Sequence, residues 1–222
     1  MRTFDEIFEI SAGRKGGAEA LNDLLDPPTN TRELEKITND RWLAQMTKCV
    51  FQAGFNWKVV NSMWPGFEEA FNGFDSGYCA MLTDEDFDRL VSDKRIVRYG
   101  AKIRAVQHNA FFINQLARDS GSAGAAFANW PTGDYSGLLA MLKKRGSRLG
   151  GNTGQYFLRF MGVDGYILSR DVIARLVAEG VVEKAPTSQK AMASVQEAFN
   201  KWSQQSNRSL TEISKVLAMS IG

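Results

Sequence analysis

Several residue types are scarce in this chain, and each scarcity excludes a class of protein. The two cysteines, Cys49 and Cys79, cannot supply a disulfide framework, and the single histidine, His108, leaves too few ligands for a four-ligand zinc site. No apolar run approaches the length of a membrane span, and the N-terminus, MRTFDEIFEI, is too acidic for a signal peptide. A reducing, cytoplasmic setting is therefore expected.

The overall composition is that of a folded protein. The 222 residues are 44% hydrophobic and carry a net charge of +2, which excludes disorder and suits one compact domain or two small lobes. This small positive charge does not by itself predict nucleic-acid binding. Such a prediction must rest on where the charges lie in the sequence.

Apolar residues recur at helical spacing, whereas alternating strand patterns are nearly absent. Thr83 and Asp86 resemble a capping box, and Gly121–Gly133 is the best candidate for a flexible connection. The clearest helices are expected from Asn39 to Gly54, Asn56 to Pro65, about Tyr99 to Arg118, about Tyr135 to Arg145, and within Gly165 to Val182. The sequence therefore predicts an all-α protein of about nine or ten short helices.

One segment has the pattern of an anion-binding site. A predicted helix ends in basic residues, and a glycine-rich turn leads directly into the next helix. Backbone N–H groups at a helix N-terminus bind phosphate, and nearby basic side chains add attraction without base specificity. The alternative is an ordinary connection with solvated charges. The residues concerned are Lys143, Lys144, Arg145, Arg148, Gly150, Gly151, Asn152, Thr153 and Gly154.

The order of these elements resembles the helix-hairpin-helix DNA glycosylase superfamily: a helix, a Leu149-Gly150-Gly151 hairpin, a second helix, and Asp171 twenty residues after Gly151. Within it, the hairpin and the upstream segment QAGFNWKVV, residues 52–60, are similar to the DNA-3-methyladenine glycosylase I branch. The similarity covers roughly residues 42–172. Gly150 replaces the hairpin proline of the superfamily, and Thr153 replaces its second glycine.

The resemblance implies an all-α helix-hairpin-helix glycosylase fold, with two helical lobes and a cleft between them. One lobe would span about residues 40–130, and the other would combine 1–39 with about 131–222 and contain the hairpin at 146–154. The implied partner is damaged double-stranded DNA, bound through the hairpin, with no membrane and with the protein as a monomer. The superfamily also implies a monovalent cation at the hairpin carbonyls, but the branch's zinc ligands have no counterpart in this sequence.

The resemblance also implies a reaction, hydrolysis of an N-glycosidic bond. A carboxylate stabilises the oxocarbenium-like sugar in such a reaction, and Asp171, at the start of a helix, is the expected residue. The alternatives are that Asp171 only caps that helix, or that Asp164 is the carboxylate, although it lies only 13 residues after Gly151. Gln155 occupies the position of the lysine that superfamily members with lyase activity use, so no Schiff base is expected.

Base extrusion requires a residue that fills the gap, a wedge and a pocket. By resemblance these are Gln52, Phe55 and Trp57, with Cys49 in the pocket where the branch has a glutamate. An indole attracts a cationic alkylated purine. Trp57 could instead be a core residue, as is expected of Trp42, Trp64 and Trp130.

The expected function is therefore that of a monofunctional DNA glycosylase that removes alkylated, cationic purines such as 3-methyladenine in base excision repair. Without a glutamate at position 49, a preference for 3-methyladenine alone is not expected. The alternatives are a non-catalytic helix-hairpin-helix module that only holds DNA, and an all-α protein-interaction domain with no affinity for DNA.

Overall fold

The structure is a computed structural model that describes residues 1–221, which form helices and no strand. The fifteen α-helices are α1 Phe4–Lys15, α2 Ala18–Asn22, α3 Thr31–Lys36, α4 Asn39–Gln52, α5 Trp57–Ser62, α6 Trp64–Ala70, α7 Ser76–Ala80, α8 Asp84–Ser92, α9 Gly100–Ser120, α10 Ala123–Ala128, α11 Tyr135–Arg145, α12 Asn152–Phe160, α13 Arg170–Ala178, α14 Gln189–Ser206 and α15 Leu210–Met219. Short 3₁₀ helices occupy Asn72–Phe74 and Thr132–Asp134. No helix of the described chain is long and apolar enough to cross a bilayer.

The helix count exceeds the nine or ten predicted, because several helices have only five to seven residues. Pro65 accounts for one of these differences. It lies in the first turn of α6, where a proline needs no hydrogen-bond partner, and so it starts a helix just after α5 ends. The predicted start of α4 shifts by one residue, since Thr38 is the N-cap and the Asn39 side chain accepts a hydrogen bond from the Ala123 N–H.

Gly121–Gly133 is not a flexible connection, contrary to the prediction. It contains α10, which is capped by the Ser122 side chain and packs closely against the backbone of α3 at Leu34 and Glu35. By contrast, the capping box of Thr83 and Asp86 on α8 is confirmed.

The chain divides into two compact units. Unit 1 comprises Met1–Thr29, Pro131–Leu138 and the described residues from Gly162 onward, and unit 2 comprises Asn30–Trp130 with Leu139–Met161. The hairpin therefore lies in unit 2, which corrects its expected assignment to the lobe formed by the chain termini. The reason is packing within unit 2: Phe157, on the helix after the hairpin, contacts Trp42 and Phe127 at ring-centroid distances of 5.9 and 5.7 Å.

Each unit has its own aromatic core. In unit 2, Trp42 is fully buried between α10 and α12, as predicted for a core residue. The core of unit 1 is a chain of ring contacts through Tyr135, Tyr166, Phe199 and Trp202. Burial of such rings contributes to the stability of each unit.

Candidate nucleic-acid interface and site residues

The hairpin between α11 and α12 is held from within unit 2. Leu149 is buried and anchors it. Asn109, a buried residue of α9, donates a 3.1 Å hydrogen bond to the Ser147 carbonyl and accepts one of 2.7 Å from the Ser147 N–H. The hairpin therefore has a fixed position against α9, although its tip is exposed.

Two positions of the hairpin require glycine, each for a different structural reason. Gly151, the N-cap of α12, has φ of +58°, which an L-residue adopts only with strain. Gly154 is buried, and a Cβ at that position would collide with the Leu149 carbonyl. Because Gly151 offers no capping side chain, the first N–H groups of α12 are available to an anion.

The predicted basic residues lie around this exposed N-terminus. Lys143 and Lys144 are exposed in the last turn of α11, whereas Arg145 forms an ion pair with Asp119 at 3.3 Å. Arg148, also exposed, has φ of +60°. Of the predicted backbone-binding residues, Gly150, Gly151, Asn152 and Thr153 retain exposed surface, while Gly154 acts through its close packing.

Phe55 lies in the turn between α4 and α5, and its side chain is 45% exposed. Gly54, with φ of +70°, makes the turn possible, and the Asn56 side chain caps α5. An exposed aromatic ring at a tight turn suits the wedge role predicted for it.

Lys102, which the sequence patterns did not assign to the site, fixes this turn. Its Nζ donates to the carbonyls of Phe51 and Ala53 at 3.1 and 2.7 Å, where α4 ends. Burial lowers the pKa of this lysine, and the nearby Arg148 guanidinium lowers it further. The sequence does contain one indication that Lys102 is buried: it lies on α9 one turn before the buried Val106, on a face that is otherwise apolar.

Trp57 belongs to an aromatic cluster with Tyr156 and Phe160, both on the helix that the hairpin opens. The Trp57 ring meets Tyr156 edge-on at 5.8 Å and Phe160 at 6.1 Å. Trp57 is 43% exposed and Phe160 is also exposed, so the cluster is not core. It offers ring surface to a partner.

Two predicted contact residues are buried instead. Gln52 is only 5% exposed, and its Nε2 donates to the Asn61 side chain at 3.1 Å. Its Oε1 has no partner within the described chain. A buried amide cannot fill a gap in DNA, so we correct that assignment.

Cys49 is also buried, and the Gln45 amide donates to its Sγ at 3.3 Å. Burial raises the pKa of the thiol to about 11, so it is protonated at neutral pH. It is a core residue of α4 with almost no surface for a base, and we remove it from the predicted pocket. Cys79 is likewise buried.

The two candidate carboxylates lie in unit 1 and have different surroundings. Asp171 is exposed in the first turn of α13, whose cap is Ser169, so Asp171 is not the capping residue. Asp164 accepts hydrogen bonds from the N–H groups of Leu210 and Thr211 at 3.2 and 2.8 Å, where α15 begins. The carboxylate of Asp164 therefore caps the start of α15, whereas the side chain of Asp171 is exposed to solvent.

The residues present do not fit a zinc ion. Among residues 1–221, no cluster of histidine, cysteine or acidic side chains could hold a metal. His108 is exposed on α9, as expected of a surface polar residue.

Comparisons with known proteins agree with this structure. Residues 35–135 match the family model for methyladenine glycosylases. The chain is 28% identical over 131 residues to DNA-3-methyladenine glycosylase 1 of Escherichia coli (strain K12), which covers 50% of this chain and 70% of that protein.

Two solved glycosylase structures also align with this chain. The 8-oxoguanine DNA glycosylase of Methanocaldococcus jannaschii aligns with a TM-score of 0.55 at 13% identity, over 95% of this chain and 89% of that one. The 3-methyladenine DNA glycosylase I from Staphylococcus aureus aligns with a TM-score of 0.49 at 23% identity, over 57% and 77% of the two chains.

The resemblance predicted from the sequence is thereby confirmed. The methyladenine glycosylase pattern is present over residues 35–135, and the all-α, helix-hairpin-helix glycosylase-like fold extends over nearly the whole chain. The hairpin and Asp171 lie outside the stretch matched by the family model.

Proposed function

We propose that this chain is a monofunctional DNA glycosylase that hydrolyses the N-glycosidic bond of alkylated, cationic purines such as 3-methyladenine in double-stranded DNA. The observation that carries the proposal is an aromatic cluster in which the exposed Trp57 of α5 meets Tyr156 and the exposed Phe160 on α12, the helix opened by the hairpin. One element would thus present phosphate-binding N–H groups at its start and ring surface further along.

Binding would combine two contributions. The hairpin N–H groups, with Lys143, Lys144 and Arg148, attract the DNA backbone regardless of sequence, so affinity falls steeply with salt. Phe55 enters the base stack as the base leaves it. A monovalent cation bound by the hairpin carbonyls is part of the proposal.

Selectivity would come from the charge of the base. A purine alkylated at a ring nitrogen is cationic, and the electron-rich faces of Trp57 and its neighbours attract a cation by about 0.5–2 kcal/mol. With Cys49 buried and no carboxylate in the cluster, hydrogen bonding to one particular base contributes little. We therefore propose activity on 7-methylguanine as well as 3-methyladenine.

For the chemical step, we assign Asp171 as the carboxylate that stabilises the developing positive charge on the sugar. The alkylated base already carries a positive charge, so it leaves without a general acid, and water completes the hydrolysis. The position of the lyase lysine holds Gln155, which is buried and has no amine that could form a Schiff base. The product would be an abasic site.

The test is incubation of the protein with methylated duplex DNA, followed by chromatography of the released bases. Release of both methylated purines, with no borohydride-trapped complex on an abasic-site duplex, is the expected result. Salt-sensitive binding to duplex DNA with no release of base would instead indicate the non-catalytic DNA-binding module.

A further inference from the structure

Tyr99 is an exposed aromatic residue at the start of α9. It is the N-cap of α9, its side chain is 49% exposed, and it makes no side-chain capping bond. Its hydroxyl has no hydrogen bond to any part of the chain that the structure describes. Tyrosine rings with this exposure are typical of contact surfaces, where the ring is apolar and the hydroxyl is wet.

The rings of Tyr99 and Phe55 lie beside the same ammonium group. The Nζ of Lys102 is 5.7 Å from the centroid of Tyr99 and 5.9 Å from that of Phe55. The two centroids are therefore separated by no more than the sum of these distances. Lys102 also donates to the carbonyls at the end of α4, so one buried lysine contacts that turn and lies beside both rings.

Tyr99 also contacts the hairpin. The Arg148 guanidinium lies over the Tyr99 ring at 5.8 Å, and its Nε donates to the Ala101 carbonyl at 3.3 Å. The two rings are thus adjacent to the surface proposed to bind phosphates, and the cations beside them favour a polyanionic partner.

We infer that Tyr99 is a second DNA-stacking residue, which forms with Phe55 a two-ring wedge at the site of base extrusion. The inference rests on the proposed DNA binding of this surface. Extrusion of one base leaves unstacked faces on both strands, namely the neighbours of the lost base and the unpaired base opposite it. A single ring can cover only one of these, whereas the two rings beside Lys102 can stack on one strand each.

The test uses a duplex with a stable abasic-site analogue and 2-aminopurine as the opposing base, whose fluorescence is quenched when an aromatic ring stacks on it. The matched control is Phe111→Ala, because Phe111 is on the same helix with the same 49% exposure. Tyr99→Ala is expected to weaken binding to this duplex roughly tenfold, the usual order for one base–aromatic stack, and to reduce the fluorescence change. Tyr99→Phe should behave as wild type.

Binding to an intact duplex separates stacking from support of the hairpin. For Tyr99→Ala we expect it to change by less than about twofold, since the backbone contacts remain. Equal losses on both duplexes would mean that Tyr99 only positions Arg148, and would overturn the inference. A loss with Tyr99→Phe as large as with Tyr99→Ala, or a wild-type response in Tyr99→Ala, would overturn it too.

Neither measurement depends on release of a base. A wild-type protein that binds the abasic-site duplex and quenches 2-aminopurine, yet releases no base from methylated DNA, refutes the glycosylase activity and leaves the wedge intact. A protein that binds no DNA refutes both. Melting curves of each variant exclude unfolding as the cause, and no capping bond is lost at position 99.

Discussion

The pair of hydrogen bonds between Asn109 and Ser147 gives the sharpest test of the hairpin as a DNA-binding element. Asn109→Ala removes both bonds, of 3.1 and 2.7 Å, from a buried side chain. At about 1 kcal/mol net for each bond, the free energy of unfolding should fall by about 2 kcal/mol. For a chain of this size that corresponds to a decrease in Tm of roughly 4–8 °C.

The effect on DNA should be uniform. A hairpin that is free to move presents its N–H groups poorly, so we expect affinity for every duplex, damaged or intact, to fall on the order of tenfold at low salt. The slope of log affinity against log salt concentration should decrease by about one for each phosphate that the hairpin no longer binds. The preference for damaged over intact DNA should not change.

Asn114→Ala is the matched control. Asn114 lies on the same helix and also makes two hydrogen bonds, donating to the Ser76 carbonyl at 2.9 Å and accepting from the Ser76 hydroxyl at 2.7 Å. Asn114→Ala should lower the free energy of unfolding by about as much as Asn109→Ala does, and it should leave the affinity for DNA unchanged. Equal affinities for the two variants at equal loss of stability would refute the hairpin as the binding element.

Three other perturbations test separate parts of the structure. Gln52→Leu should change the free energy of unfolding by less than about 1 kcal/mol, because it removes one hydrogen bond but also a buried acceptor that has no partner. The variant should bind an abasic-site duplex normally, and a large loss of affinity would restore the gap-filling role of Gln52. Glu179→Gln should lower the free energy of unfolding by about 2–3 kcal/mol near neutral pH, because Glu179 is buried against Arg175 and also pairs with the half-exposed Arg2. Burial alone would raise the pKa of Glu179, but hydrogen bonds from Arg2 and Arg175 outweigh this effect and hold the pKa below 4.5. The stabilisation is therefore present above pH 4.5 and is lost as the pH falls further. The free energies of unfolding of wild type and variant, measured with urea from pH 3 to 7, should converge at the acid end, and a constant difference between them would contradict the assignment. EDTA should change neither Tm nor duplex binding, and a fall in either would show a metal requirement.

The parts of the fold that the sequence predicts well are those with long periodic patterns. The limits of α9 and α11 match their expected ranges closely, because α9 has an apolar stripe over five turns and α11 begins and ends with clear signals. α10, with the sequence AGAAFA, has no such stripe. It is a helix because tertiary contacts with α3 hold it, which a local pattern cannot reveal.

Some features of the candidate site can likewise be predicted from the sequence, and others cannot. Exposure of Phe55 and the anion-binding geometry at Gly151 follow from local turn chemistry, and both can be expected from the sequence. Burial of Gln52 and Cys49 depends on which side of α4 meets its neighbours. Alignment with a family gives the position of such a residue but not its exposure. Lys102 was missed because its partners, the carbonyls at the end of α4, lie about fifty residues away in the sequence.

The choice between Asp171 and Asp164 also needed the structure. Asp164 lies nearer the hairpin than the family spacing implies, and the hydrogen bonds it accepts from the start of α15 show that it has a structural role. Asp164→Asn therefore serves as a control for Asp171→Asn. It removes the same charge, at a cost of about 1 kcal/mol in stability, without removing the proposed catalytic group.

The most direct test of the central claim is single-turnover release of methylated purines from duplex DNA by wild type, Asp171→Asn and Asp164→Asn. All three proteins should bind an abasic-site duplex similarly. Wild type and Asp164→Asn should release free base, and Asp171→Asn should be slower by at least about a hundredfold. A wild-type protein that releases no base, or an Asp171→Asn variant that releases it at the wild-type rate, would contradict the account.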